Sequence, residues 1–179
     1  TNELSVTGML SLGDWRYKGN ANAAVFTDNG SGTQIGDVTL YLDDLRVGGS
    51  AQTTSSLGLN YRGRQKYYVG ADYNFYGRMY ADFNPESKTF DDPYFNQVVK
   101  MPNAGTVDIY GGKSFKYKGV FIQLKANINN VFNNQFLIDS NERIYTGASS
   151  TLNGKVEPPS PFVQYYFGRT YFASLVLSF

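Results

Sequence analysis

The strongest constraint on this chain is an alternation of apolar and polar residues with a period of two. Along 67–82, Tyr67, Val69, Ala71, Tyr73 and Phe75 fall on one side. Tyr68, Gly70, Asp72, Asn74, Tyr76, Arg78 and Tyr80 fall on the other. Only a strand sorts neighbouring residues onto opposite faces in this way. The final segment, Pro161 to Phe179, repeats the pattern: Tyr171, Ala173, Leu175, Leu177 and Phe179 share one face, against Thr170, Phe172, Ser174, Val176 and Ser178. A terminal phenylalanine is a wasted hydrophobe in water. In lipid it belongs to an outward apolar band rimmed by aromatic girdles. The expectation is an all-β protein, an antiparallel transmembrane β-barrel segment whose closing strand is 161–179, placed in an outer membrane.

Composition narrows the alternatives. No apolar run reaches the length of a membrane helix, and mean hydropathy is −0.37, which an alternating strand gives by cancellation. The 15 tyrosines and 13 phenylalanines against one tryptophan suit rings seated half in lipid and half in water. A net charge of +1 gives no large positive field to draw the chain to nucleic acid; a local basic patch stays open, though none shows as a run. With no histidine and no cysteine, histidine-based triads and zinc sites on imidazole or thiolate are excluded. No paired acid and base stands out, so no catalytic residue, metal site or cofactor is expected. The opening TNELSVTGM reads as a strand and not as a signal peptide. Export information is therefore expected to have been removed, or the chain to be a piece of something longer.

Taken in order, residues 3–27 read as one long strand, with Asp14-Trp15-Arg16-Tyr17 as an interface girdle and NANAAVFT continuing into water. Asp28 to Gly32 is a turn signal, and 35–47 the returning arm of a projecting hairpin, with Leu45 and Val47 out of phase. The segment 53–62 descends with Leu57, Leu59 and Tyr61 outward, turns at 63–66, and 67–82 climbs back. The span 83–105, with Pro85, Pro93 and Pro102, reads as a long loop. A strand at 107–118 carries Lys113 on its outward face, which requires either snorkelling or a bulge. Residues 120–132 follow, with Val120, Ile122, Leu124, Ala126 and Ile128 outward and Gln123, Lys125, Asn127 and Asn129 inward; 133–160 is a second long loop. That makes about six long strands joined alternately by tight turns and long connections, so 28–50, 83–105 and 133–160 are expected outside the cell. Six strands cannot close a barrel of this kind, and bare edges in lipid cost several kcal/mol per unsatisfied backbone group.

Four stretches carry a resemblance. They are Asn127-Ile128-Asn129-Asn130-Val131-Phe132-Asn133, the descending strand Ala51 to Tyr61 (AQTTSSLGLNY), Val107-Asp108-Ile109-Tyr110, and Gly168-Arg169-Thr170-Tyr171 running on to Phe179. In this order they resemble the C-terminal β-barrel segment of TonB-dependent outer-membrane receptors. The resemblance implies that 1–179 is the C-terminal portion of a barrel of about twenty-two strands. It implies a plug domain absent from this chain, energy supplied by the TonB complex through the missing N-terminal part, and active import of a scarce ligand. Iron chelates, cobalamin, glycans and peptides all remain open as that ligand. Tyr171, Leu175, Leu177 and Phe179 would then form the signal read by the barrel-assembly machinery. The expected partners are outer-membrane lipid, the rest of the barrel and its plug.

Two sets of residues are candidates for ligand contact. The lumen set is Asp72, Asn74, Tyr76, Arg78, Tyr80 and Lys125, with Arg78 suited to a carboxylate or phosphate. Lumen polarity facing water or a plug explains the same row without a ligand. The loop set is Phe90, Tyr94 and Phe95, joined by Phe83 and Tyr145, as stacking platforms or as packing over the mouth. Asp43-Asp44 and Asp91-Asp92 offer oxygen ligands for Ca²⁺ but lack the spacing of a calcium loop. Two other functions fit the composition: a structural or adhesive barrel completed by oligomerisation, and a soluble β-sandwich carbohydrate-binding module.

Overall fold

In the computed structural model the described residues are 3–28, 30–92, 98–141, 151–152, 155–156 and 162–179. The chain is all-β with antiparallel sheets and no α-helix among these residues. Its strands are β1 (Leu4–Leu12), β2 (Ala21–Phe26), β3 (Gln34–Leu40), β4 (Ala51–Gly63), β5 (Tyr67–Met79), β6 (Ala104–Tyr117), β7 (Val120–Asn129), β8 (Leu137–Asn141), β9 (Thr151–Leu152), β10 (Lys155–Val156), β11 (Phe162–Tyr165) and β12 (Thr170–Ser178). One six-stranded sheet runs β1-β4-β5-β6-β7-β12, and β2-β3, β8-β11 and β9-β10 are separate two-stranded ribbons. The large sheet is open, with β1 and β12 at its edges.

The alternation becomes a surface through the register. Val6, Leu59, Ala71, Ile109, Ile128 and Tyr171 are cross-strand partners in one unbroken row over all six strands. The next row is Leu4, Tyr61, Val69, Gly111, Ala126 and Ala173. Because the side-chain period is two, agreement of register over six strands gathers every outward residue on one face. That face is bare: Leu10 is 66% exposed and Leu57 52%, and Phe179, just past β12, is wholly exposed. Among the described residues no second sheet pairs with it.

The turns follow from local chemistry. Tyr117 pairs with Val120, and Lys118 and Gly119 between them have φ of 48° and 89°. Two positive φ values make the twist of this turn match that of the strands it joins. Arg64 to Lys66 turns β4 into β5, Lys66 at φ 56°.

Several sequence expectations are corrected. The long strand 3–27 is two strands of different sheets, parted at Gly13–Asn20; Asp14 to Tyr17 is therefore not a girdle on a continuing strand. The returning arm 35–47 ends as a strand at Leu40, and Asp44 takes a φ of 63°, which accounts for the phase slip of Leu45 and Val47. Strand 67–82 ends at Met79 because Arg78 sits at φ 54°. Within loop 83–105, Pro85–Lys88 form a 3₁₀ turn capped by the Asn84 side chain, and β6 begins at Ala104 rather than at 107. The loop 133–160 contains strand structure at β8, β9 and β10. The closing strand begins at Thr170, since β11 pairs with β8 and not with β7. Lys113 stands opposite Tyr67 and Leu124 with no register shift, so the bulge is absent.

Candidate functional site

The polar face carries the candidate residues, and the geometry shows what holds each of them. Asp72 lies over Gly58, where an added Cβ would stand 2.6 Å from Asp72 Oδ1 and 2.5 Å from Thr7 Oγ1. Asn74 Nδ2 donates to Asp108 Oδ2 at 3.2 Å. Tyr76 stacks on Phe136 with ring centroids 6.1 Å apart, and Phe136 stacks in turn on Tyr166 at 4.7 Å. Met79, Met101 and Ala104 form a small buried core beside this stack. Tyr110 lies flat over Gly70, with which it pairs across β5 and β6. The face thus sets Asp72 and Tyr110 over glycines, with Asn74 bonded to Asp108 across the strands.

Arg78 and Tyr80 leave this row at the positive φ of Arg78 and enter a cluster at the sheet end away from the tight turns. Arg78 Nη1 donates to the Gly13 carbonyl at 2.9 Å and Nη2 to Asp14 Oδ1 at 2.8 Å. Arg46 Nη1 also donates to Asp14 Oδ1, and its guanidinium lies 5.1 Å from the Tyr80 ring centroid. Arg16 Nη1 reaches Asp44 Oδ2 at 2.7 Å and Arg16 Nε reaches Asp14 Oδ2 at 3.4 Å. Beneath them Gln52, 1% exposed, donates to the carbonyls of Trp15 and Val47 and accepts from Arg46. One carboxylate therefore ties together the exit of β1, the segment before β4 and the end of β5.

The hydrogen bond from Arg46 holds the Asp14 carboxyl below its ordinary value of 3.8, with Coulomb attraction from Arg16, Arg46 and Arg78 acting the same way against some desolvation. A depressed folded-state pKa means the stabilisation is complete above pH 3.8. It is lost as pH falls below 3.8 through the lower folded value. Asp14→Asn is expected to raise amide hydrogen exchange at 13–17 and 44–47 at neutral pH, leaving β6 and β7 unchanged. Unaltered exchange in both segments would show that Asp14 does not hold them.

Lys125 remains on the polar face opposite Gly112 and Ser174, exposed, with no ion pair among the described residues. Phe90 is 61% exposed, while Phe83 packs edge-on against Tyr17 at 5.3 Å. Tyr94, Phe95 and Tyr145 lie outside the described residues. Asp43 accepts from the Gly19 amide, and Asp44 is taken up by Arg16, so that pair serves the fold. No group of metal-ligating side chains occurs among the described residues. Tyr171, Leu175, Leu177 and Phe179 lie on the apolar face, along the open edge strand or just past it.

The asparagine-rich run 127–134 forms a second polar knot that the alternation of the strands does not announce. Asn130, 0% exposed at φ 52°, donates its backbone amide to Asp108 Oδ1 at 2.7 Å; its side chain donates to the Asn134 carbonyl and accepts from the Asn134 amide, both at 2.9 Å. Asn133 Oδ1 accepts from the Arg169 amide at 2.9 Å, and Asn129 Nδ2 donates to Thr170 Oγ1 at 3.1 Å. The asparagine-rich run 127–134 thus ends β7 and seats the start of β12. Its density of asparagines was the available signal, since asparagine both tolerates a left-handed turn and bonds nearby backbone.

No family model, curated protein or solved structure matches the chain.

Proposed function

We propose that the chain forms part of the wall of an outer-membrane β-barrel, the C-terminal portion of a TonB-dependent transporter that captures and imports a scarce ligand. The observation that carries the reading is the bare apolar face, continuous over six registered strands with Lys113 its one charged side chain. In water such a surface far exceeds the apolar patches that monomers tolerate. In a bilayer it is the outer surface of a barrel, and the opposite polar face looks inward. The two open edges fit continuation into further strands. The ordered resemblance of the four strand stretches supports the transporter assignment within that class.

In this arrangement the Asp14 cluster lies at the outer rim of the inward face, and the ribbon β2-β3 projects beyond it. Asn74 acts first as wall structure, bonded to Asp108 of the neighbouring strand, and Tyr76 is taken up by the Phe136 stack. Asp72 and Lys125, whose side chains have no hydrogen bond or ion pair among the described residues, are the candidates left for contact with a plug or a ligand.

The test is cell fractionation with growth. The protein is expected in the outer-membrane fraction, and a strain lacking it should lose growth on one limiting nutrient class among iron chelates, cobalamin, glycans and peptides. Recovery in the soluble fraction would overturn the membrane reading. Outer-membrane recovery with growth unaffected on every class would overturn transport alone. In that case a stable homo-oligomer of the 20.0 kDa chain in detergent would favour a structural or adhesive barrel instead.

A further inference from the structure

Lys113 is the one charge on the apolar face, and it has no ion pair or hydrogen bond among the described residues. It borders a groove of about 530 Å³. The floor is made of small residues in one row, Gly111, Ala126 and Ala173, and Leu124 and Leu175 flank it in the row of Lys113 itself. The groove is open along the sheet surface; Gly112, Lys125 and Ser174, one row whose side chains alternate to the polar face, complete its lining, so the Lys113 ammonium is the one charge on this side. Lys113 lies four positions before Tyr117 at the tight turn. At about 3.3 Å per residue and a strand tilt near 45°, that is roughly 9 Å of depth in an apolar band about 25 Å tall. The lysine therefore lies in the turn-side half of the band, and its long side chain snorkels toward the turn to reach the headgroups.

The same end of the sheet is basic. Arg64, Lys66 and Lys118 stand at the two tight turns, with Arg62 and Lys116 beside them on the polar face, and Glu3, paired with Arg64, is the one acidic side chain there among the described residues. The Lys66 carbonyl accepts from the Ser114 amide, which places this lysine's backbone beside Lys113. An apolar groove, an unpaired cation at its edge and a basic rim beyond make one amphiphilic surface of defined polarity.

We infer that this groove is a binding site for an anionic phospholipid of the leaflet on the tight-turn side. One acyl chain lies over Gly111, Ala126 and Ala173, and the phosphate is met by Lys113. The inference rests on the membrane reading above and adds a lipid-selective site to it. A zwitterionic lipid of the same chains fills the groove equally but offers no net charge to the lysine.

Native mass spectrometry of the detergent-extracted protein, offered phosphatidylglycerol or phosphatidylcholine of matched chains, tests the site. Wild type is expected to retain phosphatidylglycerol over phosphatidylcholine by roughly five-fold, the factor that one interfacial cation contributes. Lys113→Gln should bring the two to parity. Ala173→Leu, which fills the groove without adding polarity, should lower retention of both. Lys118→Gln serves as the control for diffuse rim charge and should keep most of the preference. Equal retention by wild type, an unchanged preference in Lys113→Gln, or an equal loss in Lys118→Gln would each overturn the site. If the protein floats with no vesicle of either lipid, the membrane reading falls and takes the site with it. Normal insertion with no lipid preference removes the site alone.

Discussion

Leu57→Arg is expected to lower the stability of the inserted protein by about 2–4 kcal/mol, the cost of a cation facing lipid near the bilayer midplane. Ser56→Arg, one residue away, should change it by less than roughly 1 kcal/mol, in the range of an exposed substitution. The two positions sit mid-way along β4 and differ only in face. Leu57 has Gly8 and Tyr73 as cross-strand partners among the apolar rows, and Ser56 has Met9 and Asn74 opposite. In water the order would shrink or reverse, because Leu57 is already half-exposed and an arginine there would gain hydration. Urea titrations of folded protein in lipid vesicles read the difference. Equal effects at the two positions would contradict a lipid-facing β4.

The second large effect belongs to the asparagine knot. Asn130→Ala removes both side-chain bonds to Asn134 and puts a residue with a poor left-handed preference at φ 52°. Unsatisfied buried groups cost about 1–3 kcal/mol and the backbone adds about 1, for a total of roughly 2–4 kcal/mol. Asn130→Gly should recover the backbone part and leave the hydrogen-bond loss. Thermal unfolding of the two variants in detergent separates these contributions. A melting curve of Asn130→Ala that overlays the wild type would show that β7 ends for another reason. Since Asn133 also holds the Arg169 amide, hydrogen exchange at the start of β12 should rise in both variants.

The alternation identified the six strands of the large sheet and which side chains share a face. It could do so because a period-two pattern is a local property and the register keeps each row aligned across neighbours. Where the sequence misled, distant partners decide the chain's path. The break after Leu12 is held by Arg46, Arg78 and Gln52, none of which is close to Gly13–Asn20 in sequence. A pattern read along one segment cannot contain that information. Likewise Arg78 looks like an inward residue by parity, and only its positive φ turns it toward Asp14. The polarity of the lumen row is a local property, but the pairing of Asn74 with Asp108 depends on register and the Tyr76–Phe136 stack on a distant segment outside the sheet. Lys113 was the reverse case: the pattern placed it outward against its chemistry, and the register keeps it there.

The most direct test of which face meets hydrocarbon uses the chain's lack of cysteine, since every introduced thiol is unique. Nitroxide labels placed one at a time on residues 69 to 75 of β5, in protein reconstituted into vesicles, report collisions with oxygen and with a water-soluble nickel complex. The account predicts alternation with a period of two. Oxygen should dominate at 69, 71, 73 and 75, and nickel access should rise at 70, 72 and 74. Labels at 69, 71 and 73 that are shielded from oxygen and nickel alike, or more open to nickel than their neighbours, would contradict it.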